Sequence, residues 1–162
     1  MQQKLGRIKL VVLDVDGVLS DGRIIYDVNG IEYKCFDAHD GFGISRALEK
    51  GLKLAIISGR ESEVVHIRAR ELGITDVFQN SGNKVLVFEN LRARHKLTSS
   101  QCCFIGDDEF DLSLLNTVGF SAAPADAIKK VRNEVDYVAA ANGGRGAVRE
   151  ILDMILHARK LL

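Results

Sequence analysis

The sequence predicts an α/β domain built on a doubly wound parallel sheet, and three observations carry this prediction. The apolar run 11–13 ends in two carboxylates, Asp14 and Asp16, followed by a glycine. This pattern is typical of a buried parallel strand that delivers charge to the edge of a sheet. The apolar segments 54–57 and 103–105 also end in polar residues. Helix-like segments separate these strands, which indicates a parallel sheet covered on both faces.

Bulk properties restrict the function classes. A chain of 162 residues fits one domain, 1–162, and 46% hydrophobic residues suffice for a substantial core. Lys and Arg number 22, as do Asp and Glu, so the net charge of +0 argues against a nucleic-acid or membrane-surface partner. No apolar run approaches the roughly 20 residues that span a bilayer, which predicts a cytoplasmic protein. Cys102 and Cys103 are expected to be reduced, buried thiols.

A small hairpin is expected directly after the first strand. Segments 23–26 and 32–36 flank the sequence Asp-Val-Asn-Gly at 27–30, and Asn-Gly between β-prone runs is a strong hairpin signal. We interpret residues of about 22–37 as a two-stranded flap. The chain is too short for a large cap domain in addition to the sheet.

Periodicity and capping residues place the remaining elements. Asp40 is a plausible cap for a helix that runs to Lys50. Further strands are predicted at 53–57, 76–79, 101–105, 120–123 and 137–138, and further helices at 62–72, 84–94, 109–118, 126–132 and 147–161.

Four polar motifs follow one another along the chain. They are Asp14-Val15-Asp16-Gly17, Ser58-Gly59-Arg60, Lys84, and Gly106-Asp107-Asp108 with Asp111. In this order and spacing they resemble the motifs of the haloacid dehalogenase (HAD) superfamily, which implies a Rossmann-like HAD fold. Segments 36–43 and 143–150 are similar to the 3-deoxy-D-manno-octulosonate 8-phosphate phosphatase family within it.

The resemblance implies a Mg²⁺-dependent phosphomonoesterase. Asp14 resembles the nucleophile that forms an aspartyl-phosphate, and Asp16 resembles the general acid and base. Asp14, the Asp16 carbonyl and Asp107 resemble the metal ligands, an all-oxygen set that suits Mg²⁺ and not zinc. Asp111 resembles a residue that orients the metal's water shell or a neighbouring lysine.

Ser58 and Lys84 complete the predicted site by binding the transferred group. A hydroxyl and a lysine can donate to the phosphoryl oxygens and neutralise their charge. Arg60 presents a planar guanidinium that can hold a carboxylate with two hydrogen bonds. In the family, an arginine here is associated with binding the sugar acid.

The resemblance also implies a homotetramer, in which flaps pack together and a neighbouring subunit closes each active site, and a role in lipopolysaccharide biosynthesis. The glycine-rich segment 143–146 approaches a neighbour's active site in the family, although a plain loop before the last helix is slightly favoured here. A solvated or structural role is favoured for His39 over a substrate contact, and the role of Arg145 is open.

Other functions compete with this assignment. The substrate is expected to be 3-deoxy-D-manno-octulosonate 8-phosphate, but a nine-carbon keto-acid sugar phosphate is an alternative, as is a stand-alone relative of domains fused to acidic-sugar cytidylyltransferases. A catalytically silent assembly module is a third possibility. The intact set of Asp14, Asp16, Ser58, Lys84 and Asp107 argues against it, because a silent module need not keep all five.

Overall fold

The centre of the molecule is a six-stranded parallel sheet with strand order β5-β4-β1-β6-β7-β8. The computed structural model describes residues 1–162. The sheet strands are β1 (Leu10–Leu13), β4 (Lys53–Ile57), β5 (Asp76–Phe78), β6 (Cys102–Ile105), β7 (Phe120–Ala123) and β8 (Tyr137–Val138). This architecture confirms the predicted doubly wound α/β fold.

Strand β1 lies in the middle of the sheet and is completely buried. Its last residue, Leu13, pairs with Ile56 of β4 on one side and with Ile105 of β6 on the other. Because successive side chains of a strand point to opposite faces, Val11 and Leu13 enter one hydrophobic core while Leu10 and Val12 enter the other. An unbroken apolar run is therefore what this position requires.

Helices cover both faces of the sheet. They are α1 (Gln2–Leu5), α2 (Ala38–Glu49), α3 (Glu63–Leu72), α4 (Lys84–Arg94), α5 (Leu112–Leu115), α6 (Lys129–Glu134) and α7 (Ala147–Ala158). Buried residues of α1, α2, α3 and α7 belong to the core of one face, and those of α4, α5 and α6 to the core of the other. No helix has the length and apolar character needed to cross a membrane. A cytoplasmic location stays a prediction.

The predicted flap is present as a two-stranded antiparallel sheet of β2 (Ile25–Tyr26) and β3 (Glu32–Tyr33). Its strands are shorter than the sequence predicted. The turn is held by Asp27, whose carboxylate accepts hydrogen bonds from the amides of Asn29 at 2.9 Å and Ile31 at 2.8 Å. No large cap domain accompanies the flap.

The prediction that Asp40 caps α2 is wrong. Asp37 occupies that position and accepts from the amides of His39 and Asp40. The carboxylate of Asp40 is buried and instead accepts from the amides of Gly146 at 3.2 Å and Arg149 at 2.8 Å. Asp40 therefore caps α7, whose own N-terminal residue is a glycine without a capping side chain.

Three further helices differ from their predicted bounds, and one of them, α7, ends at Ala158 and not at residue 161. The segment predicted as a helix at 109–118 is a 3₁₀ turn, Glu109–Asp111, followed by the single turn of α5. The turn forms because Asp108 and Asp111 satisfy each other's backbone amides in a capping box. The helix predicted from residue 126 begins only at Lys129.

The buried position predicted for Cys102 and Cys103 is confirmed, and both are free thiols. Burial raises the pKa of Cys102 to about 11 and that of Cys103 further still. The two thiols therefore remain protonated near neutral pH.

Candidate active site

The six residues predicted for the site surround one cleft at the carboxyl ends of the strands. Asp14 follows β1, Ser58 follows β4, and Asp107 comes two residues after β6. The cleft has a volume of about 380 Å³, and Asp14, Asp16, Ser58, Arg60, Lys84 and Asp107 line it together with Gly22, Gly59, Asp108 and Phe110. This edge of a parallel α/β sheet is where ligands bind in such folds.

Lys84 joins two of the carboxylates at the floor of the cleft. Its buried Nζ lies 2.9 Å from Asp14 Oδ1 and 2.7 Å from Asp111 Oδ1. Burial opposes the charge on Lys84, but Asp14 and Asp111 outweigh it and raise the pKa of the ammonium. Lys84 is therefore a fixed positive charge beside Asp14 at the floor of the cleft.

The surroundings of Asp14 disfavour a negative charge on its carboxyl group, because the site is buried and Asp111 lies close by. Burial, followed by the charge of Asp111, raises its pKa to about 7, while Lys84 acts in the opposite direction. The pKa of Asp107 is raised to about 8 by burial and then by Asp14, Asp111 and Asp108. Carboxylates crowded in this way need an additional cation to be ionised together.

These carboxylates fit a hard divalent cation. Oxygens of Asp14, Asp107 and Asp111 lie within 4.8 Å of one another. Asp111 is already satisfied, since it accepts from Lys84 and from the amides of Asp107 and Asp108. In contrast, the buried Oδ1 of Asp107 has no hydrogen-bond partner. Asp14 and Asp107 thus retain free oxygens for Mg²⁺, whose preferred ligands are oxygens.

Glycine is required beside Asp107. Gly17 has a φ of +85°, and a Cβ at this position would lie 2.1 Å from Asp107 Oδ2. The glycine after the Asp14-Val15-Asp16 segment therefore allows the loop after β1 to approach the carboxylate that follows β6.

Asp16 accepts hydrogen bonds from two cationic side chains. Lys34 Nζ, from the flap, donates to Asp16 Oδ1 at 2.5 Å, and Arg60 donates to Oδ2 at 3.1 Å. Glu32 lies between the cations, 3.3 Å from Lys34 Nζ and 3.0 Å from Arg60. The side chain of Lys34 is only 1% exposed. This network attaches the flap to the proposed acid and base and fixes the direction of its carboxylate.

Glu32 and Lys34 were not predicted as site residues from the sequence. Their only signal was an alternation of charged residues with Ile31, Tyr33 and Cys35 along the second flap strand. Such alternation shows that charged side chains share one face of a strand, but it does not show what that face meets.

Arg60 is in the cleft, as predicted, but it already has protein partners. Besides Asp16 and Glu32 it donates to the Tyr26 hydroxyl at 3.0 Å. Burial would lower its pKa, but Asp16 and Glu32 raise it. A ligand carboxylate at Arg60 would therefore have to replace one or more of these contacts.

Ser58 and Phe110 shape the remaining wall of the cleft. Ser58 is buried, and its Oγ accepts from the Arg60 amide at 3.3 Å. The Phe110 ring is half exposed to solvent and lies 5.4 Å from Lys84 Nζ. A Cβ at Gly59 would approach this ring to 3.1 Å, so the glycine makes room for Phe110.

Other residues considered from the sequence lie outside the cleft. The His39 side chain is 84% exposed and is 3.4 Å from Asp37, which agrees with the favoured solvated role. Gly143 packs against the loop after β1, where a Cβ would lie 1.8 Å from the Gly17 carbonyl oxygen. Arg145 faces Asp21 at 3.7 Å. Gly143 and Gly144 thus allow close backbone packing within this chain.

Several known proteins that are similar to this chain are phosphatases. Residues 61–152 match the haloacid dehalogenase-like hydrolase family. The 3-deoxy-D-manno-octulosonate 8-phosphate phosphatase KdsC of Haemophilus influenzae is 43% identical over 159 residues, 98% of this chain and 88% of that protein. The crystal structure of the phosphatase of this name from Yersinia pestis has a TM-score of 0.98 at 39% identity, covering 99% of this chain and 87% of the other.

One similar structure contains ligands. The 3-deoxy-D-manno-octulosonate 8-phosphate phosphatase from Moraxella catarrhalis was crystallised with a magnesium ion, a phosphate ion and KDO. It has a TM-score of 0.96 and 40% identity, covering 98% of this chain and 91% of that one. The identity and near-complete coverage of both chains, together with the arrangement of the cleft, place this chain in the 3-deoxy-D-manno-octulosonate 8-phosphate phosphatase family of the haloacid dehalogenase-like hydrolases.

Proposed function

We propose that this protein is a Mg²⁺-dependent phosphatase that hydrolyses 3-deoxy-D-manno-octulosonate 8-phosphate to the free sugar acid and phosphate. The observation that carries the proposal is the contact of Asp14 with Lys84 beside the free oxygens of Asp107, in a chain 43% identical to a phosphatase of that name. Such a role belongs to lipopolysaccharide biosynthesis.

In the proposed first step, a carboxylate oxygen of Asp14 attacks phosphorus and the bond to the leaving sugar oxygen breaks. Asp16 donates a proton to that oxygen, so the leaving oxygen of the sugar acid becomes a neutral hydroxyl group. Lys84 and Ser58 stabilise the charge on the equatorial phosphoryl oxygens. Asp14 and Asp107, with the Asp16 carbonyl, would hold Mg²⁺, which supplies positive charge to the phosphoryl oxygens when bound.

In the second step, Asp16 removes a proton from water, and the resulting hydroxide attacks the phosphorus of the aspartyl-phosphate. The bond to Asp14 breaks and phosphate is released, which restores the Asp14 carboxylate and leaves Asp16 protonated for the next turnover. Lys34 and Arg60 each donate to one oxygen of the Asp16 carboxylate, so they fix the direction in which it faces the reacting oxygen in both steps.

We propose that substrate binding changes the contacts of Asp16 through Arg60. A sugar-acid carboxylate at the guanidinium would compete with Asp16 and Glu32 for the same donors. Asp16 would then lose one of its two donors and be free to turn towards the leaving oxygen. Recognition of the sugar acid and positioning of Asp16 would be coupled through one arginine.

A panel of sugar phosphates assayed with Mg²⁺ tests the substrate. We expect the eight-carbon acid phosphate to have a higher kcat/KM than glucose 6-phosphate, and Arg60→Ala to remove about ten- to a hundredfold of that preference. Arg23→Ala is a matched control, because Arg23 lies beside the flap but pairs with Asp21 outside the cleft. A nine-carbon acid phosphate hydrolysed faster than the eight-carbon one would transfer the assignment to the alternative substrate.

We further propose a homotetramer in which flaps pack together. The flap exposes an unusual density of apolar residues, with Val28 fully exposed and Tyr26, Ile31 and Tyr33 each more than half exposed. Solvent-exposed apolar clusters of this kind mark interaction sites. Packing against a neighbour would bury them and enclose the open cleft, which suits recognition of a small substrate.

Light scattering of the wild type and of Val28→Asp tests this assembly. We expect a tetramer for the wild type and smaller species for the variant, because a buried unpaired carboxylate opposes association. Leu86→Asp is the control, since Leu86 is 58% exposed on α4 and away from the flap. A monomeric wild type at micromolar concentration would contradict the proposal.

A further inference from the structure

A second polar recess lies at the end of the sheet opposite the active site. It has a volume of about 360 Å³, and no hydrophobic or acidic residue lines it. Lys9 directly precedes β1 and Gln101 directly precedes β6, so the recess is at the amino-terminal ends of these parallel strands. Arg159 reaches it from the end of α7.

Three cations from different segments meet in this recess: Arg7, Lys9 and Arg159. None of them forms an ion pair within 4.0 Å, although the chain as a whole has equal numbers of acidic and basic residues. The recess therefore concentrates positive charge that no carboxylate of the chain neutralises.

Arg159 is half-buried, unlike Arg7 and Lys9, and its Nη1 has no hydrogen-bond partner within the chain. Thr98 and Ser100 add hydroxyls to the same recess. Gln101 uses its Oε1 to accept from the Thr98 amide, which leaves the donor end of its side chain available.

We propose that this recess binds a phosphate-bearing anion, either free phosphate or a small phosphomonoester. Planar guanidinium groups bind phosphate oxygens through paired hydrogen bonds, and hydroxyls supply further donors. The five-residue path from Lys9 to Asp14 along β1 spans roughly 16 Å at the usual strand rise. The site is therefore separate from the catalytic cleft, and a ligand in it cannot reach Asp14.

Titration calorimetry in the presence of EDTA tests the proposal, with inorganic phosphate and glycerol 2-phosphate as probes. We expect the wild type to bind at least one probe with a Kd below about 1 mM, and Lys9→Gln/Arg159→Gln to bind it at least about tenfold more weakly. The matched control, Lys50→Gln/Arg70→Gln, removes one lysine and one arginine that are exposed elsewhere, and its affinity should equal that of the wild type. Tighter binding of inorganic phosphate identifies free phosphate as the ligand, and tighter binding of the ester identifies a phosphomonoester. Equal affinities show that the recess recognises the phosphate group alone.

Both double variants should retain wild-type phosphatase activity with Mg²⁺, which verifies that they fold. If Lys9→Gln/Arg159→Gln does not fold, Arg7→Gln replaces it, because Arg7 is exposed and has no side-chain contact that supports the fold. The proposal is overturned if the wild type binds neither probe, or if the recess variant and the control bind them equally.

Discussion

The crowded carboxylates of the cleft make a strong prediction about Asp107. In the metal-free protein, Asp107→Asn removes one negative charge from the group formed with Asp14 and Asp111, and it should increase the free energy of unfolding at pH 8. The pKa of Asp107 is raised from 3.8 to about 8, so the folded protein holds a proton there that the unfolded chain releases. At about 1.36 kcal/mol per pH unit, the higher pKa in the folded protein lowers the free energy of unfolding near pH 7 by at most on the order of 4 kcal/mol.

The sign of the pH dependence follows from the raised pKa. Asp14 and Asp107 affect the stability of the metal-free wild type in the same direction. Their contribution is most favourable below pH 4, and it is lost as the pH rises towards 7 and 8. Magnesium should reverse this loss, and its stabilising effect should be larger at pH 8 than at pH 5. The Asp107→Asn substitution should flatten the metal-free profile and also remove most of the magnesium effect.

Calorimetric melting in EDTA and in excess Mg²⁺, between pH 5 and 8, measures both effects. A change of 1 kcal/mol moves Tm by about 2–4 °C in a domain of this size, so we expect metal-free Asp107→Asn to melt about 5 °C or more above the wild type at pH 8. Glu109→Gln is the control, because this nearby carboxylate is 63% exposed and should have little effect. A metal-free Asp107→Asn that melts below the wild type at pH 8, or that Mg²⁺ stabilises as strongly, would refute the reasoning.

Three other predictions concern catalysis, the flap and the last helix. Asp14→Asn should lower kcat by orders of magnitude while the circular dichroism stays that of the folded wild type, and substantial residual activity would rule out an aspartyl-phosphate. Lys34→Met should lower kcat more than it raises KM, because it frees the Asp16 carboxylate without removing a phosphate ligand, and an unchanged kcat would contradict this. Asp40→Ala should lower the free energy of unfolding by about 1–3 kcal/mol in denaturant titrations, since two amides of α7 lose their acceptor. In that experiment Asp27→Ala, in the exposed turn of the flap, should cost less.

The site residues that could be predicted from the sequence are those at the carboxyl ends of the sheet strands. Asp14, Ser58 and Asp107 each come at or shortly after the end of a buried apolar strand, and parallel strands bring such ends to one edge. Glu32 and Lys34 were not predictable, because their contacts depend on how the flap docks on the cleft. The strands of the flap pair only with each other, so no register connects it to the main sheet.

The error at Asp40 has a similar origin. Asp37 and Asp40 both precede the apolar positions of α2, and local sequence favours either as its cap. The partner that decides between them, the first turn of α7, is 109 residues further along the chain. The shortening of the helix after Asp107 is different, because there the local capping box of Asp108 and Asp111 overrides helical periodicity.

The burial of Asp40 against α7 also bears on how the chain folds during synthesis. The core that covers β1 on one face includes Leu5 and Ile8 from the start of the chain and Ile151 and Ile155 from α7. On the ribosome, the first half of the chain emerges with this face open and with a carboxylate that has no amides to accept from. Contacts so distant in sequence form slowly, and apolar surface exposed in the meantime is prone to aggregation. Closure of this core therefore waits until α7 has emerged, and the same packing step supplies the amides from which Asp40 accepts.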